Sequence, residues 1–232
     1  MNVNELRNFL QKASLNGLVK ESRWKVKDKT LYIKFQNEEE KLNGGVKIID
    51  FNLRDIEFGV IRNTGEVIKS LKTLYNKDLK FDIEGEYLNI SDGDMTVGIT
   101  IADSSLITYY SPKRNIEYVS EIELSESFIS KFLHCSSINS KLFNINIDGE
   151  IAHFVIGDNL EMNHSMTFKY PCTESKNFSL KYYSVKNFKS ILNKNREYLK
   201  GSIKLNSAGL LNVQFSNEYY FSSYYLLPEY SH

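Results

Sequence analysis

The sequence predicts an α+β protein made of two copies of one domain, each with antiparallel sheet and two helices. Three observations carry this. Helical periodicity occurs in four short stretches, period-two alternation fills much of the sequence between them, and the order of elements repeats after about half of the 232 residues. Parallel sheet would need a crossover helix between most strand pairs, so many short strands with only four helices argue for antiparallel pairing.

The elements follow in order. Leu6, Phe9, Leu10 and Ala13 sit at i, i+3, i+4 and i+7 and predict a first helix, with Asn4 as its N-cap and Asn16-Gly17 as its stop. Alternation over 30–35 (TLYIKF) predicts a strand, and Asn43-Gly44-Gly45 reads as a turn. A second helix carries Ile68, Leu71, Leu74 and Tyr75 behind Thr64 as N-cap. Strands follow at 79–84 (LKFDIE) and 97–102 (VGITIA), separated by a turn at Asp92-Gly93. The stretch 103–115 (DSSLITYYSPKRN) has no clear periodicity and marks the joint.

The second copy opens with a strand at 117–124 (EYVSEIEL) and a helix carrying Phe128, Ile129, Phe132 and Leu133 behind Ser125. Strands at 142–147 (LFNINI) and 153–157 (HFVIG) flank a turn at Asp148-Gly149. The last helix has Val185, Phe188 and Leu192 behind Ser184, and a strand at 202–206 (SIKLN) leads to a turn at Ala208-Gly209. Aromatic residues mark Phe221 to Leu227 as a final strand that runs into Leu-Leu-Pro. The first and third helices start near 4 and 125 and the second and fourth near 64 and 184, offsets of 121 and 120 residues. The predicted domains are therefore 1–103 and 117–232, joined by a connector at 104–116.

Composition narrows the function. Hydrophobic residues make up 41% and charged residues 25%, ordinary for a globular protein. No apolar run suggests a membrane span, and no secretion signal is legible, so an intracellular protein without a membrane partner is expected. Cys135 and Cys172 are too few for a disulfide framework. The histidines show no ligand-like spacing with each other or with the cysteines. Asp92-Gly93-Asp94 lacks the rest of a calcium loop, Gly44-Gly45 lacks the lysine and helix start of a phosphate loop, and no Gly-x-Ser-x-Gly stretch occurs. No catalytic residue, metal or cofactor is predicted, and the chain reads as a non-enzyme.

Net charge is zero, so a polyanionic partner must be argued from distribution. The four helices carry Arg7, Lys12, Lys69, Lys72, Lys131, Lys186, Lys189 and Lys194 against Glu5, Glu66 and Glu126, a balance of +5, which leaves −5 for the remainder. Lysines on one polar helix face need do no more than keep it solvated. Four equivalent helices with one bias predict a basic surface that reads phosphates without reading sequence, because lysine is a flexible point charge.

Three stretches resemble the sliding clamps, in the branch of the proliferating cell nuclear antigen and the tailed-phage clamps. The sequence EYVSEIELSESFISKF (117–132) is similar to that family's start of its second domain, and SVKNFKSILNKN (184–195) to its final basic helix. The ending YYLLP (224–228) is similar to its Tyr-Tyr-Leu-Ala-Pro terminus, with Leu227 in place of the alanine. The resemblance implies a homotrimeric ring of βαβββ-type clamp domains, with sheets outside and twelve helices lining a channel around duplex DNA. It implies a DNA polymerase processivity factor of bacteriophage or virus-like type, loaded by a clamp-loader ATPase and working in a host cytoplasm if viral. The eight basic helix residues would face the DNA. Thr96, Val97, Gly98, Ile99, Thr100 and Ile101, on to Asp103, would pair with His164, Ser165, Met166, Thr167, Phe168, Lys169 and Tyr170 of a neighbouring subunit. Ile107, Tyr109, Tyr110, Leu227 and Pro228 would form an apolar pocket for a motif from polymerases and other partners. Two other readings stay open on the residues alone: a monomeric DNA-binding processivity factor of the same fold, and a viral all-β structural protein.

Overall fold

The computed structural model describes residues 1–60, 64–75, 78–107, 116–157, 164–173, 181–197 and 200–229. The chain divides into two compact units, Met1–Tyr110 with Glu218–Ser222, and Ser111–Asn217 with Ser223–His232. The return of 218–222 to the first unit has no signal in the sequence.

Unit 1 runs α1 (Val3–Ser14), β1 (Ser22–Lys27), β2 (Thr30–Gln36), β3 (Leu42–Ile49), β4 (Ile56–Val60), α2 (Thr64–Ser70), β5 (Lys80–Glu84), β6 (Tyr87–Ser91) and β7 (Thr96–Thr100). Unit 2 runs β8 (Ser120–Leu124), α3 (Glu126–Cys135), β9 (Leu142–Asp148), β10 (Ile151–Ile156), β11 (Met166–Pro171), β12 (Lys181–Ser184), α4 (Val185–Lys194), β13 (Gly201–Leu205), β14 (Leu211–Ser216) and β15 (Tyr220–Leu226), of which residues 220–222 belong to unit 1.

The duplication is visible in the topology. Unit 1 orders its strands β4-β1-β2-β3 and β5-β6-β7; unit 2 orders the equivalents β12-β9-β10-β11 and β13-β14-β15, with β8 beside β13. Among the described residues unit 1 has no counterpart of β8, and there the Leu79 N–H donates to the Met1 carbonyl at 3.4 Å just before β5. The chain after the last strand of each triplet returns to the four-stranded sheet in the same way. Gly59 and Ala102 exchange hydrogen bonds of 2.8 and 2.9 Å in unit 1, and the Glu229 N–H donates to the Tyr182 carbonyl at 2.9 Å in unit 2.

Apolar alternation explains the strands and the cores. In unit 1 the inward residues Trp24, Leu31, Ile33 and Phe35 and the α1 residues Leu6, Phe9 and Leu10 are all almost fully buried, and α1 packs against β2 and β3. The unit 2 core is aromatic. Phe128, Phe132, Phe143, Phe154 and Phe188 are fully buried, with ring centroids 4.6 Å apart for Phe132–Phe188 and 5.0 Å for Phe143–Phe188. Each such ring contributes about 1.5–3 kcal/mol by burial.

Three local expectations are corrected. Asn43-Gly44-Gly45 lies inside β3 and neither glycine has a positive φ. The turn sits earlier, where the Asn37 side chain accepts from the Leu42 N–H at 2.9 Å and Glu40 takes φ 58°. The N-cap of α1 is Asn2, which exchanges capping-box hydrogen bonds with Glu5, so Asn4 falls within the helix. Tyr75 is 84% exposed beyond the last turn after α2 and takes no part in an apolar stripe. The turns at Asp92-Gly93, Asp148-Gly149 and Ala208-Gly209 hold, with Gly93, Gly149 and Gly209 at φ 99°, 60° and 88°.

Candidate nucleic-acid and subunit interfaces

The helices are fixed at their starts and turned by their apolar stripes. Ser125 and Ser184 accept from the N–H groups of Phe128 and Asn187, each at 3.2 Å. The Ser125 hydroxyl also hydrogen-bonds the Tyr170 hydroxyl, which ties the start of α3 to β11. Thr64, expected as a cap, is instead the first residue of α2, and its hydroxyl has no hydrogen-bond partner among the described residues. In unit 1 α1 packs on α2, and in unit 2 α3 packs on α4.

With the stripes buried, Lys69, Lys72, Lys131 and Lys186 are exposed, and Arg7, Lys189 and Lys194 are half-buried. Lys12 is different. It is only 3% exposed, and its Nζ lies 5.9 Å from the centroid of the Tyr220 ring, so its charge is held beneath that ring and off the polar face. The remaining seven cations stand against Glu5, Glu66 and Glu126, a balance of +4. The three glutamates occupy first turns, where a helix dipole favours an anion, and Lys69 and Lys194 occupy last turns. Lys72 lies in the closing turn that continues α2, so part of the charge pattern is helix stabilisation, and the three lysines that sit elsewhere, Lys131, Lys186 and Lys189, are not explained by it.

The strand edges are the second feature. In unit 1 the start of β15 extends the sheet at β3, where the Ile49 N–H donates to the Tyr219 carbonyl at 3.2 Å. Among the described residues, the equivalents of these two strands, β11 and β7, are each paired along one side only, by β10 and β6. The Ile101 N–H donates to the Glu86 carbonyl at 2.8 Å. Because alternate residues of a strand face opposite neighbours, the N–H and C=O groups of Gly98 and Thr100 point away from β6. By the same reasoning from the Cys172 N–H on the Glu150 carbonyl, those of Thr167 and Lys169 point away from β10.

The expected apolar pocket is described only in part. Tyr109 and Tyr110 lie outside the described residues. Ile107 is 6% exposed and packs over Gly59, where a Cβ would come within 3.0 Å of its Cδ1. Leu227 and Pro228 are half-buried in unit 2. Asp103 ends the β7 edge, and its carboxylate accepts from the Ser105 N–H at 2.8 Å, which holds it below its ordinary pKa. Among the described residues no group of three or more potential ligands could hold a metal ion. No described helix is long and apolar enough to cross a membrane.

Comparison with known proteins places the fold. No family profile matches the sequence, and no curated protein matches it. Solved structures do match over the whole chain. The proliferating cell nuclear antigen (PCNA) of A. fulgidus, in a structure with the C-terminal region of FEN-1 bound, has a TM-score of 0.81 at 16% identity, covering 100% of this chain and 98% of that one. The PCNA of Entamoeba histolytica has a TM-score of 0.76 at 15% identity, covering 99% and 97%. The PCNA2–PCNA3 complex of Sulfolobus tokodaii has a TM-score of 0.78 at 12% identity, again covering 99% and 97%.

Proposed function

We propose, from the sliding-clamp fold that these likenesses show, that this chain is the subunit of a homotrimeric ring that encircles duplex DNA and tethers a DNA polymerase to it. The observation that carries the reading is the pair of open edges. Within unit 1 the edge of β3 is covered by the start of β15; among the described residues the equivalent edge of β11 and the equivalent strand β7 are both uncovered. A second copy supplies the missing partner by the pairing the chain already uses, and three copies close a ring in which each β7 edge is paired with a β11 edge.

Helices α1 to α4 then face the channel, with Arg7, Lys69, Lys72, Lys131, Lys186, Lys189 and Lys194 toward the phosphates. Each contact is weak and salt-dependent, as a sliding contact must be. Long residence follows from topology, because release requires opening the ring. The work is that of a binding scaffold, without covalent chemistry, and a closed ring requires a clamp-loader ATPase to reach closed DNA. Partner proteins dock a short motif near Leu227, Pro228 and the connector with Ile107, Tyr109 and Tyr110; the similar A. fulgidus PCNA carries the C-terminal region of FEN-1 in its structure. The resemblance to phage clamps favours a bacteriophage source and a host-cytoplasmic setting.

The test is reversal of Lys186, Lys189 and Lys194 to Glu. Clamp-dependent primer extension should be abolished while the far-UV circular dichroism and native mass stay as in the parent. Unchanged synthesis by the folded variant would sink the assignment of the helices to the channel.

A further inference from the structure

The outward face of the unit 1 sheet carries charge that duplication of the fold does not explain. On β1 Trp24 and Val26 are buried while Lys25 and Lys27 are exposed, and on β2 Leu31 and Ile33 are buried while Tyr32 and Lys34 are exposed. Helix α1 packs against β2 and β3, so the exposed set lies on the face turned away from the helices. Register places Lys25 opposite Tyr32, Arg23 opposite Lys34, and Tyr32 opposite Lys47. Arg23, Lys25, Lys27, Tyr32, Lys34 and Glu57 line a shallow depression of about 240 Å³.

Glu57 is the carboxylate in that lining, 2.6 Å from Arg23 and 3.4 Å from Lys25. Asp28 and Asp55 lie at the hairpin tip, joined by a hydrogen bond from the Asp28 N–H. Against Glu57 and Asp103, whose carboxylate feels the charge of Arg23, the cations Arg23, Lys25, Lys27, Lys34 and Lys47 leave a formal balance of +3.

Unit 2 is an internal control. Its β9-β10 hairpin closes on Asp148 opposite Ile151, as β1-β2 closes on Lys27 opposite Thr30, each around a two-residue loop. In that register Lys27, Lys25 and Arg23 correspond to Asp148, Asn146 and Asn144, and Tyr32 and Lys34 to His153 and Val155. The buried positions stay apolar, with Trp24 matching Ile145, Ile33 matching Phe154, and Phe35 matching Ile156. Keeping a sheet face wet therefore does not require lysine at 25, 27 and 34, since the second copy does without it there and keeps lysine only at Lys169, the counterpart of Lys47.

We propose that this face of unit 1 binds single-stranded nucleic acid, with Lys25, Lys27 and Lys34 on phosphates and Tyr32 as a stacking platform. Lysines at every second residue of β1 repeat at about 6.8 Å and form a straight row of charge suited to an extended backbone. Tyr32 is 39% exposed in the midst of that charge, and a base of any kind can stack on it. An acidic protein segment would use the lysines but has no need of the exposed ring. The inference requires neither the ring nor the channel, only the sheet of unit 1.

The experiment is fluorescence anisotropy of a labelled twelve-nucleotide oligo(dT) with the full chain, across a series of salt concentrations. Changing Lys25, Lys27 and Lys34 to Gln should weaken binding at least tenfold. It should also lower the slope of log K against log salt by about 2, since each phosphate contact on a single strand contributes about 0.7. Tyr32→Ala should weaken binding several-fold while Tyr32→Phe retains it, and Glu57→Gln should tighten it. The helix variant carrying Glu at 186, 189 and 194 should still bind the oligonucleotide. The proposal is overturned if the parent protein does not bind at low salt, or if the helix variant loses binding and the sheet variant keeps it. It is also overturned if polyglutamate displaces the oligonucleotide while Tyr32→Ala has no effect, which would make the face a site for an acidic protein.

Discussion

Thr100→Pro tests the open edge of β7 without disturbing the fold of its own unit. Proline lacks an N–H and holds φ near −65°, which an edge strand tolerates when the lost donor faces outward. The N–H of Thr100 does face outward, away from β6, so the β6–β7 ladder keeps all of its hydrogen bonds. Ile99, which precedes the new proline, is already in extended conformation, the only one such a position favours. In the ring, each interface loses a hydrogen bond worth about 1 kcal/mol and leaves the facing carbonyl buried without a partner, a further cost of about 1–3 kcal/mol. Taking about 2 kcal/mol in all, each contact weakens about thirty-fold. Three contacts form together when a ring closes, so assembly from monomers weakens roughly thirty-thousandfold. Sedimentation velocity over a range of concentrations reads this directly. Thr100→Ser, which retains the N–H, should assemble like the parent. A folded Thr100→Pro protein that assembles as tightly as the parent would refute the pairing of β7 with a neighbour.

Three further predictions concern the units themselves. Phe188→Ala removes a fully buried ring from the centre of the unit 2 aromatic cluster and should cost about 3–5 kcal/mol, read as a lowered calorimetric transition; a change below about 1 kcal/mol would mean that the cluster can collapse to fill the space. Burial pushes both the Cys135 and the Cys172 thiol above the ordinary value, so each should react with iodoacetamide at pH 7 more slowly than free cysteine, and labelling at the free rate would contradict their placement. For Glu57 burial pushes the pKa up, but the charges of Arg23 and Lys25 outweigh it and the net shift is downward from 4.5. A depressed folded pKa gives stability that is present above the unfolded value and lost as pH falls through the folded one. The stability difference between the parent and Glu57→Gln should therefore be constant above about pH 5 and shrink below pH 4.5, and a difference that does not change with pH would contradict the ion pairs.

The duplication was legible because it is written in local signals. Ser125 and Ser184 sit immediately before apolar residues at helical spacing, and both cap in the structure. Asp148-Gly149 and Ala208-Gly209 demand a positive φ that glycine supplies, so the hairpins they close could be read one residue at a time. Asn43-Gly44-Gly45 misleads because glycine permits a turn without requiring one. In β3 both glycines are extended, and the bend is made upstream by the Asn37 side chain, whose hydrogen bond to Leu42 no dipeptide rule anticipates. Strands β3, β4 and β12 escaped because alternation in them is short or broken by glycine and charge, whereas the six residues of β1 alternate cleanly and carried a signal that could have been read. Long-range features were beyond the reach of any local window. Lys12 looks like a solvated last-turn lysine until Tyr220, more than two hundred residues later, covers it. The charge on the β1-β2 face became visible only when the register of the two hairpins set Lys25 and Lys27 beside Asn146 and Asp148.

The most direct test of the ring is the native mass of the unmodified protein at low micromolar concentration, by sedimentation or mass photometry. The account predicts a species near 80.7 kDa, three times the chain mass of 26.9 kDa. A single species at 26.9 kDa that persists as the concentration is raised would contradict it, because the β7 and β11 edges would then be open in solution and no ring would close around DNA.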